Sequence, residues 1–203
     1  MIKNIIFDFG DIFINLDKQA PLKELAKLGV PGISDQMMEV CNQYEQGLLS
    51  TAEFVDFFNM EFKVSKSNLI NAWNSILRDL PKHRLDFIKE LSNNKKYRLF
   101  LLSNTNDLHI SWIQNNWGKE LYNEFKKCFE QFYLSHEINM RKPNADIFHF
   151  VLKENNLKIE ETIFIDDTKE NTDTAKALGM PIWNLNPKTE DVVNLFTRKE
   201  FKL

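Results

Sequence analysis

The chain has 203 residues, with 26 Lys and Arg against 29 Asp and Glu, for a net charge of −3. That length suits one domain, or one domain carrying an insertion, and a mildly acidic chain lacks the basic character expected of a nucleic-acid binder. With 43% apolar and 27% charged residues the composition excludes bulk disorder.

The first apolar run, residues 2–7, stops at Asp8. Uninterrupted apolar runs of this length suit strands buried on both faces, as in a parallel sheet. From about residue 16 to residue 84 the pattern changes. Helical periodicity covers 22–28, 37–46, 51–62 and 66–77, with turn signals at Pro31-Gly32 and over 47–50. Leu85, Ile88 and Leu91 recur at helical spacing before a second apolar run at 98–102. A weaker strand pattern spans 129–134. It is followed by a helix carrying Ile147, Phe148, Val151 and Leu152, with Asn144 as its expected cap. The run 162–165 ends in Asp166-Asp167; Ala175 and Leu178 then lead to Gly179, a helix end, before a last strand at 182–185. This alternation predicts an α/β fold, a Rossmann-like doubly wound parallel sheet built from 1–15 and 85–203. Residues 16–84 form an inserted small α-helical cap over the strand ends.

The polar residues lie where such a sheet binds ligands. Asp8, Ser103-Asn104 and Asp166-Asp167 each close a strand, and Arg141-Lys142-Pro143 follows the weak one. In a parallel sheet these ends converge on one crevice. Carboxylates with room for water and phosphate oxygens suit Mg²⁺. A lysine and a hydroxyl suit a phosphoryl group, whose transfer depends on positioning and charge neutralisation. A free aspartate beside them serves as nucleophile. Each residue alone has a simpler use: Asp8 in a turn, Asp166-Asp167 as a helix cap, Lys142 on the surface. It is their combination in one order that points to chemistry.

The same residues resemble the haloacid dehalogenase-like hydrolase superfamily along essentially the whole chain. Phe7-Asp8-Phe9-Gly10 resembles its first motif, Ser103-Asn104 the second, Lys142 the third, and Asp166-Asp167 with Asn171 the fourth. The stretches LLSNTNDLH, YLSHEINMRKP and FIDDTKEN are similar to the bacterial sugar-phosphatase branch, especially the glucose-1-phosphate phosphatase type. The resemblance implies a Mg²⁺-dependent phosphatase acting on a small phosphorylated metabolite through an aspartyl-phosphate. Asp8 would be nucleophile and metal ligand. The Gly10 carbonyl and Asp166 would complete the protein ligands, and Ser103, Asn104 and Lys142 would hold the phosphoryl oxygens. Asp167 and Asn171 would orient Lys142 or a metal-bound water.

One position departs from the family pattern. The usual phosphatase carries a second aspartate two places after the nucleophile as acid and base, and here that place is Gly10. Asp11 is the neighbouring substitute, with a turn residue as its simpler reading. In the cap, Trp73, Tyr44, Glu45 and Asn74 are candidates for sugar contacts, against a core role for Trp73. His109 reads as a surface helix residue without a role. Two other functions fit the scaffold: a metal-free 2-haloacid dehalogenase-type hydrolase, whose family members also lack the second aspartate, and a catalytically weak phospho-ligand-binding protein, suggested by Gly10.

Cys41 and Cys128 form no CxxC pattern, so a reducing compartment is expected. No apolar run approaches the ~18 residues of a membrane span, and the N-terminal run is broken at Asp8, unlike a signal peptide. A cytoplasmic protein with no nucleic-acid or membrane partner is the expectation, and a monomer is compatible with the sequence.

Overall fold

The computed structural model describes residues 1–199 and 201. Five strands, β1 (Asn4–Phe7), β2 (Arg98–Ser103), β3 (Gln131–Leu134), β4 (Thr162–Asp166) and β5 (Ile182–Asn184), form one sheet in the order β3-β2-β1-β4-β5. Every pairing is parallel. Because side chains alternate across a strand, each buried run feeds two cores. Ile5, Phe7, Leu99, Leu101, Ile163 and Ile165 enter one, whereas Ile6, Phe100, Leu102 and Phe164 enter the other.

Between β1 and β2 lie four helices, α1 (Ala20–Lys27), α2 (Asp35–Glu45), α3 (Thr51–Phe62) and α4 (Lys66–Asn74). Serines cap three of them: Ser34, Ser50 and Ser65 each accept a backbone N–H in the first turn. The four helices share a core of their own around Leu25, Tyr44, Phe54, Phe58 and Leu69. Their entry and exit chains run together: Leu16 bridges Leu77, Asn15 N–H donates to the Asp79 carbonyl and Asp17 N–H to that of Ile76. This pairing stops the fourth helix at Asn74, short of the expected residue 77. The next helix, α5 (Lys82–Asn94), packs Ile88 and Leu91 against the sheet, so the expected cap limit at residue 84 falls inside a helix of the sheet layer.

After β2 come α6 (Asp107–Trp117) and α7 (Lys119–Lys126), which the sequence pattern leaves unread because Asn, His and Trp interrupt the apolar stripe of α6. A single turn, α8 (Ser135–Ile138), follows β3; α9 (Ala145–Glu154) and α10 (Lys169–Ala177) flank β4 and cover the second core with Ile147, Phe148, Val151 and Ala175. Asn144 does precede α9, but its side chain makes no cap hydrogen bond. Gly179, at φ +93°, ends the segment after α10 in the left-handed region that favours glycine.

The chain moves outward from β1 to β2 and β3, then returns to place β4 on the other side of β1. The carboxyl ends of β1 and β4 therefore flank the switch point of the sheet, where open α/β folds bind ligands. Phe7 is in register with Ile165, so Asp8 and Asp166 leave the sheet at one level. Among the described residues no helix is long and apolar enough to cross a membrane. Both cysteines are buried and free.

Candidate active site

At the switch point a cleft of about 420 Å³ is lined by Asp8, Gly10, Ser103, Asn104, Lys142, Asp167 and Asn171, with Glu45 reaching in from α2. Asp8 follows β1 and its N–H donates to the Ile165 carbonyl, which ties the end of β1 to β4. Lys142 is only 1% exposed. Its ammonium donates to Asp8 Oδ1 at 2.6 Å, to Asp166 Oδ2 at 2.7 Å and to the Leu102 carbonyl at 2.7 Å. Those three acceptors match the three donors of an ammonium, which is how a cation is tolerated so deep in the protein. Burial opposes the charge on Lys142, but Asp166 and Asp8 outweigh it and hold the amine above its ordinary pKa.

Asp166 is fully buried and each of its oxygens is held. Oδ1 accepts the Thr168 N–H at 2.7 Å, and Oδ2 takes Lys142 and the Asn171 amide at 2.9 Å. Asn171 thus sits at the Asp166 carboxylate rather than at Lys142. The Asn104 side chain is engaged with the Lys142 backbone. Its Oδ1 accepts the Lys142 N–H at 2.9 Å and its Nδ2 donates to the Lys142 carbonyl at 2.8 Å. The amide is occupied on both sides, so Asn104 positions the Lys142 backbone. Ser103 is buried on the cleft wall, its hydroxyl 3.4 Å from the adjoining Asn104 carbonyl.

The carboxylates of Asp8, Asp166 and Asp167 bring oxygens to within 4.8 Å of one another. Burial pushes the Asp8 carboxyl up to about 7; Lys142 pulls it down, and Asp166 and Asp167 push it up again. Burial likewise raises Asp167, against the pull of Lys18. Three crowded carboxylates, with burial raising Asp8, fit a hard divalent cation such as Mg²⁺, which would neutralise the surplus charge.

Two further cations enter the site: Lys18, which the sequence did not single out, and Arg141, noted there only as the neighbour of Lys142. Lys18 bridges Asp167 at 2.5 Å and Asp11 at 3.1 Å. In sequence it is one surface lysine among many. Arg141 pairs with Glu45 at 3.0 Å across the gap between the sheet layer and α2. Asp11 adopts φ 56° and its Oδ1 accepts the Leu16 N–H at 3.0 Å, so it closes the turn after Gly10.

The remaining candidates divide. Glu45 lines the cleft; burial raises its carboxyl and Arg141 counters that. Tyr44 is buried, with its hydroxyl 2.8 Å from Thr51 Oγ1 and accepting the Leu108 N–H at 3.2 Å. Asn74 is buried in α4. Trp73 stacks on His109, with ring centroids 5.5 Å apart, and packs tilted against Phe54 at 4.8 Å; its indole N–H faces Asn106 Oδ1. Trp73 joins the helical core to α6 and is not on the wall of the cleft. His109 is therefore no free surface residue, because its ring is sandwiched at this junction.

The chain is similar to known proteins over most of its length. The family described as haloacid dehalogenase-like hydrolase matches residues 18–179. A D-ribitol-5-phosphate phosphatase of Bacteroides thetaiotaomicron is 31% identical, covering 88% of this chain and 89% of its own. A glyceraldehyde 3-phosphate phosphatase of Methanocaldococcus jannaschii is 26% identical, covering 89% of this chain and 83% of its own. A solved HAD-family enzyme of Bacteroides thetaiotaomicron, in complex with magnesium, superimposes with a TM-score of 0.85 at 35% identity, covering 97% of this chain and 99% of that one. The chain therefore belongs to the haloacid dehalogenase-like hydrolases.

Proposed function

We propose that the protein is a Mg²⁺-dependent phosphatase of small phosphomonoesters, sugar and polyol phosphates above all, with Asp8 as nucleophile. The observation that carries this is the meeting of Asp8, Asp166 and Asp167 with the buried Lys142 ammonium at the β1–β4 switch point. Relatives named as phosphatases of ribitol 5-phosphate and glyceraldehyde 3-phosphate support it.

Asp8, Asp166 and the Gly10 carbonyl would hold the metal. Bound there, Mg²⁺ supplies charge neutralisation to the phosphoryl oxygens. Lys142 fixes Asp8 through Oδ1, which leaves Oδ2 to bond phosphorus as the ester's alcohol departs. Water then attacks the aspartyl-phosphate, releases phosphate and restores the carboxylate, so one water is consumed per turnover. Ser103 and Lys142 hold the phosphoryl oxygens, and Asn104 and Asn171 keep Lys142 and Asp166 in place. The helical unit α1–α4 acts as the cap, bringing Glu45 to the cleft and limiting access of bulk water.

The test is phosphate release from a panel of sugar, polyol and aryl phosphates, with Mg²⁺ and with chelator, in wild type and Asp8→Asn. Metal-dependent release that disappears in the variant is expected. Chloride release from 2-haloacids in chelator, with no phosphate release, would replace this reading by a dehalogenase. Ligand-induced stabilisation without turnover would replace it by a binding protein.

A further inference from the structure

A second cavity, of about 100 Å³, shares Gly10, Leu16, Glu45, Ser103 and Asn104 with the cleft. It runs between the sheet layer and the helical unit, and its remaining wall is mostly apolar, with Phe9, Ile76 and Ile113. Glycine at position 10 matters here, since any side chain at that place would stand between the two spaces.

His109 lines this cavity, and its Nε2 is buried without a hydrogen-bond partner among the described residues. The surrounding network decides what that atom is. Asn106 Oδ1 accepts both the His109 N–H at 3.1 Å and the Trp73 indole N–H at 3.4 Å, which fixes the orientation of the amide. Asn106 Nδ2, a donor only, then faces His109 Nδ1 at 3.3 Å. Nδ1 must accept, so the ring proton resides on Nε2. Burial lowers the His109 pKa to about 4, which agrees with a neutral ring. The cavity thus holds one neutral donor whose nearby protein acceptor, the Trp73 carbonyl, makes no well-formed hydrogen bond with it. Glu45, held by Arg141, offers a carboxylate on the same wall.

We propose that this cavity is the subsite for the alcohol part of the ester, and that His109 and Glu45 select short, hydroxyl-bearing, acyclic leaving groups. The His109 Nε2–H donates to a substrate hydroxyl oxygen and the Glu45 carboxylate accepts a hydroxyl proton. The space holds about three water-sized groups, which suits a short polyol or open-chain sugar better than a pyranose ring. A second anionic group would meet the Glu45 carboxylate and be rejected. A site built to hydrogen-bond a hydroxyl discriminates against analogues that lack it, because its own polar atoms are then left unpaired. The inference rests on the cleft being the phosphoryl site.

The test compares glycerol 3-phosphate with propyl phosphate, which has the same carbon chain without hydroxyls. Binding is read by calorimetry on Asp8→Asn with Mg²⁺, so it does not depend on turnover. A preference of at least about tenfold for the hydroxylated ligand is expected. Adding His109→Asn, which places an amide near Nδ1 and empties the Nε2 position, removes most of that preference. Adding His109→Gln, whose amide N–H reaches the Nε2 position, keeps it. Adding Glu45→Met lowers it. An equal preference in the His109→Asn and His109→Gln backgrounds, or no preference to begin with, overturns the assignment. Failure of the phosphatase reading shows separately, as absence of turnover in the wild type.

Discussion

Leu16 stands against Gly10: a Cβ on Gly10 would lie 2.7 Å from Leu16 Cδ1. The place where the family's second aspartate would begin is thus already taken by a leucine from the start of the helical unit. In Gly10→Asp alone the end of the Leu16 side chain has to shift to make room for the new carboxylate. Gly10→Asp combined with Leu16→Ala has room for the carboxylate. We expect the double variant to hydrolyse alkyl phosphates roughly 10- to 100-fold faster than Gly10→Asp, at the low end of what general acid help supplies. Steady-state rates on glycerol 3-phosphate check this, and equal rates would show that Leu16 is not the obstacle.

The wild type should also show the want of that acid in its leaving-group dependence. Without a positioned proton donor, kcat falls as the alcohol becomes a poorer leaving group. p-Nitrophenyl phosphate is expected to turn over faster than glycerol 3-phosphate at saturation. Equal kcat values would mean that another side chain supplies the proton.

Lys142 carries the charge balance of the metal-free site. In Lys142→Met the Asp8 and Asp166 carboxylates face each other without the cation that now joins them at 2.6 and 2.7 Å. Removing one partner of a buried ion pair typically costs about 3–5 kcal/mol. A fall in Tm is expected for the metal-free variant. Adding Asp8→Asn to it should recover part of the loss, since one of the repelling charges is gone. Thermal denaturation in chelator, with all three proteins side by side, decides it.

Magnesium should stabilise the wild type through the same carboxylates. A ligand at 100 times its Kd adds about 2.7 kcal/mol. A rise in Tm on adding Mg²⁺ is expected, and in Asp166→Asn that rise should shrink or vanish. An undiminished rise in the variant would place the cation elsewhere.

His109 makes stability depend on pH. Its ordinary pKa of 6.5 falls to about 4 in the fold, chiefly through burial, with His136 nearby adding to the effect. Between these values the unfolded chain binds a proton that the native state does not, so stability rises with pH across that window. Its contribution is complete above about pH 6.5, declines as pH falls, and is lost below about pH 4. A shift of this size corresponds to a few kcal/mol. Urea unfolding of His109→Gln should give a flatter profile between pH 4 and 6.5 than the wild type. A wild-type slope in the variant would assign the effect to other groups.

Much of the site could be read along the chain. Asp8, Ser103 and Asp166 each close a buried apolar run, and strand ends are local properties that alternation and burial write directly into sequence. The five strands were legible for the same reason, each a short apolar run. The pairs that tune the site were not. Lys18 meets Asp167 and Arg141 meets Glu45 across 149 and 96 positions of sequence. Nothing local distinguishes those two cations from others on the surface.

Asn104 and His109 show the limit most directly. An asparagine beside Ser103 reads as a ligand, and in the fold its side-chain amide pairs with the Lys142 backbone, a contact made only when β2 and the segment after β3 are side by side. A histidine in a polar helix reads as surface until α4 brings Trp73 against its ring. The sequence by itself determined the strands, their order of chemistry and the acidic residues, because these follow from short-range periodicity. Only the tertiary structure decided which oxygens crowd together, which amide is occupied and which imidazole nitrogen is left without a partner. Those properties depend on distance and desolvation between segments far apart in the chain.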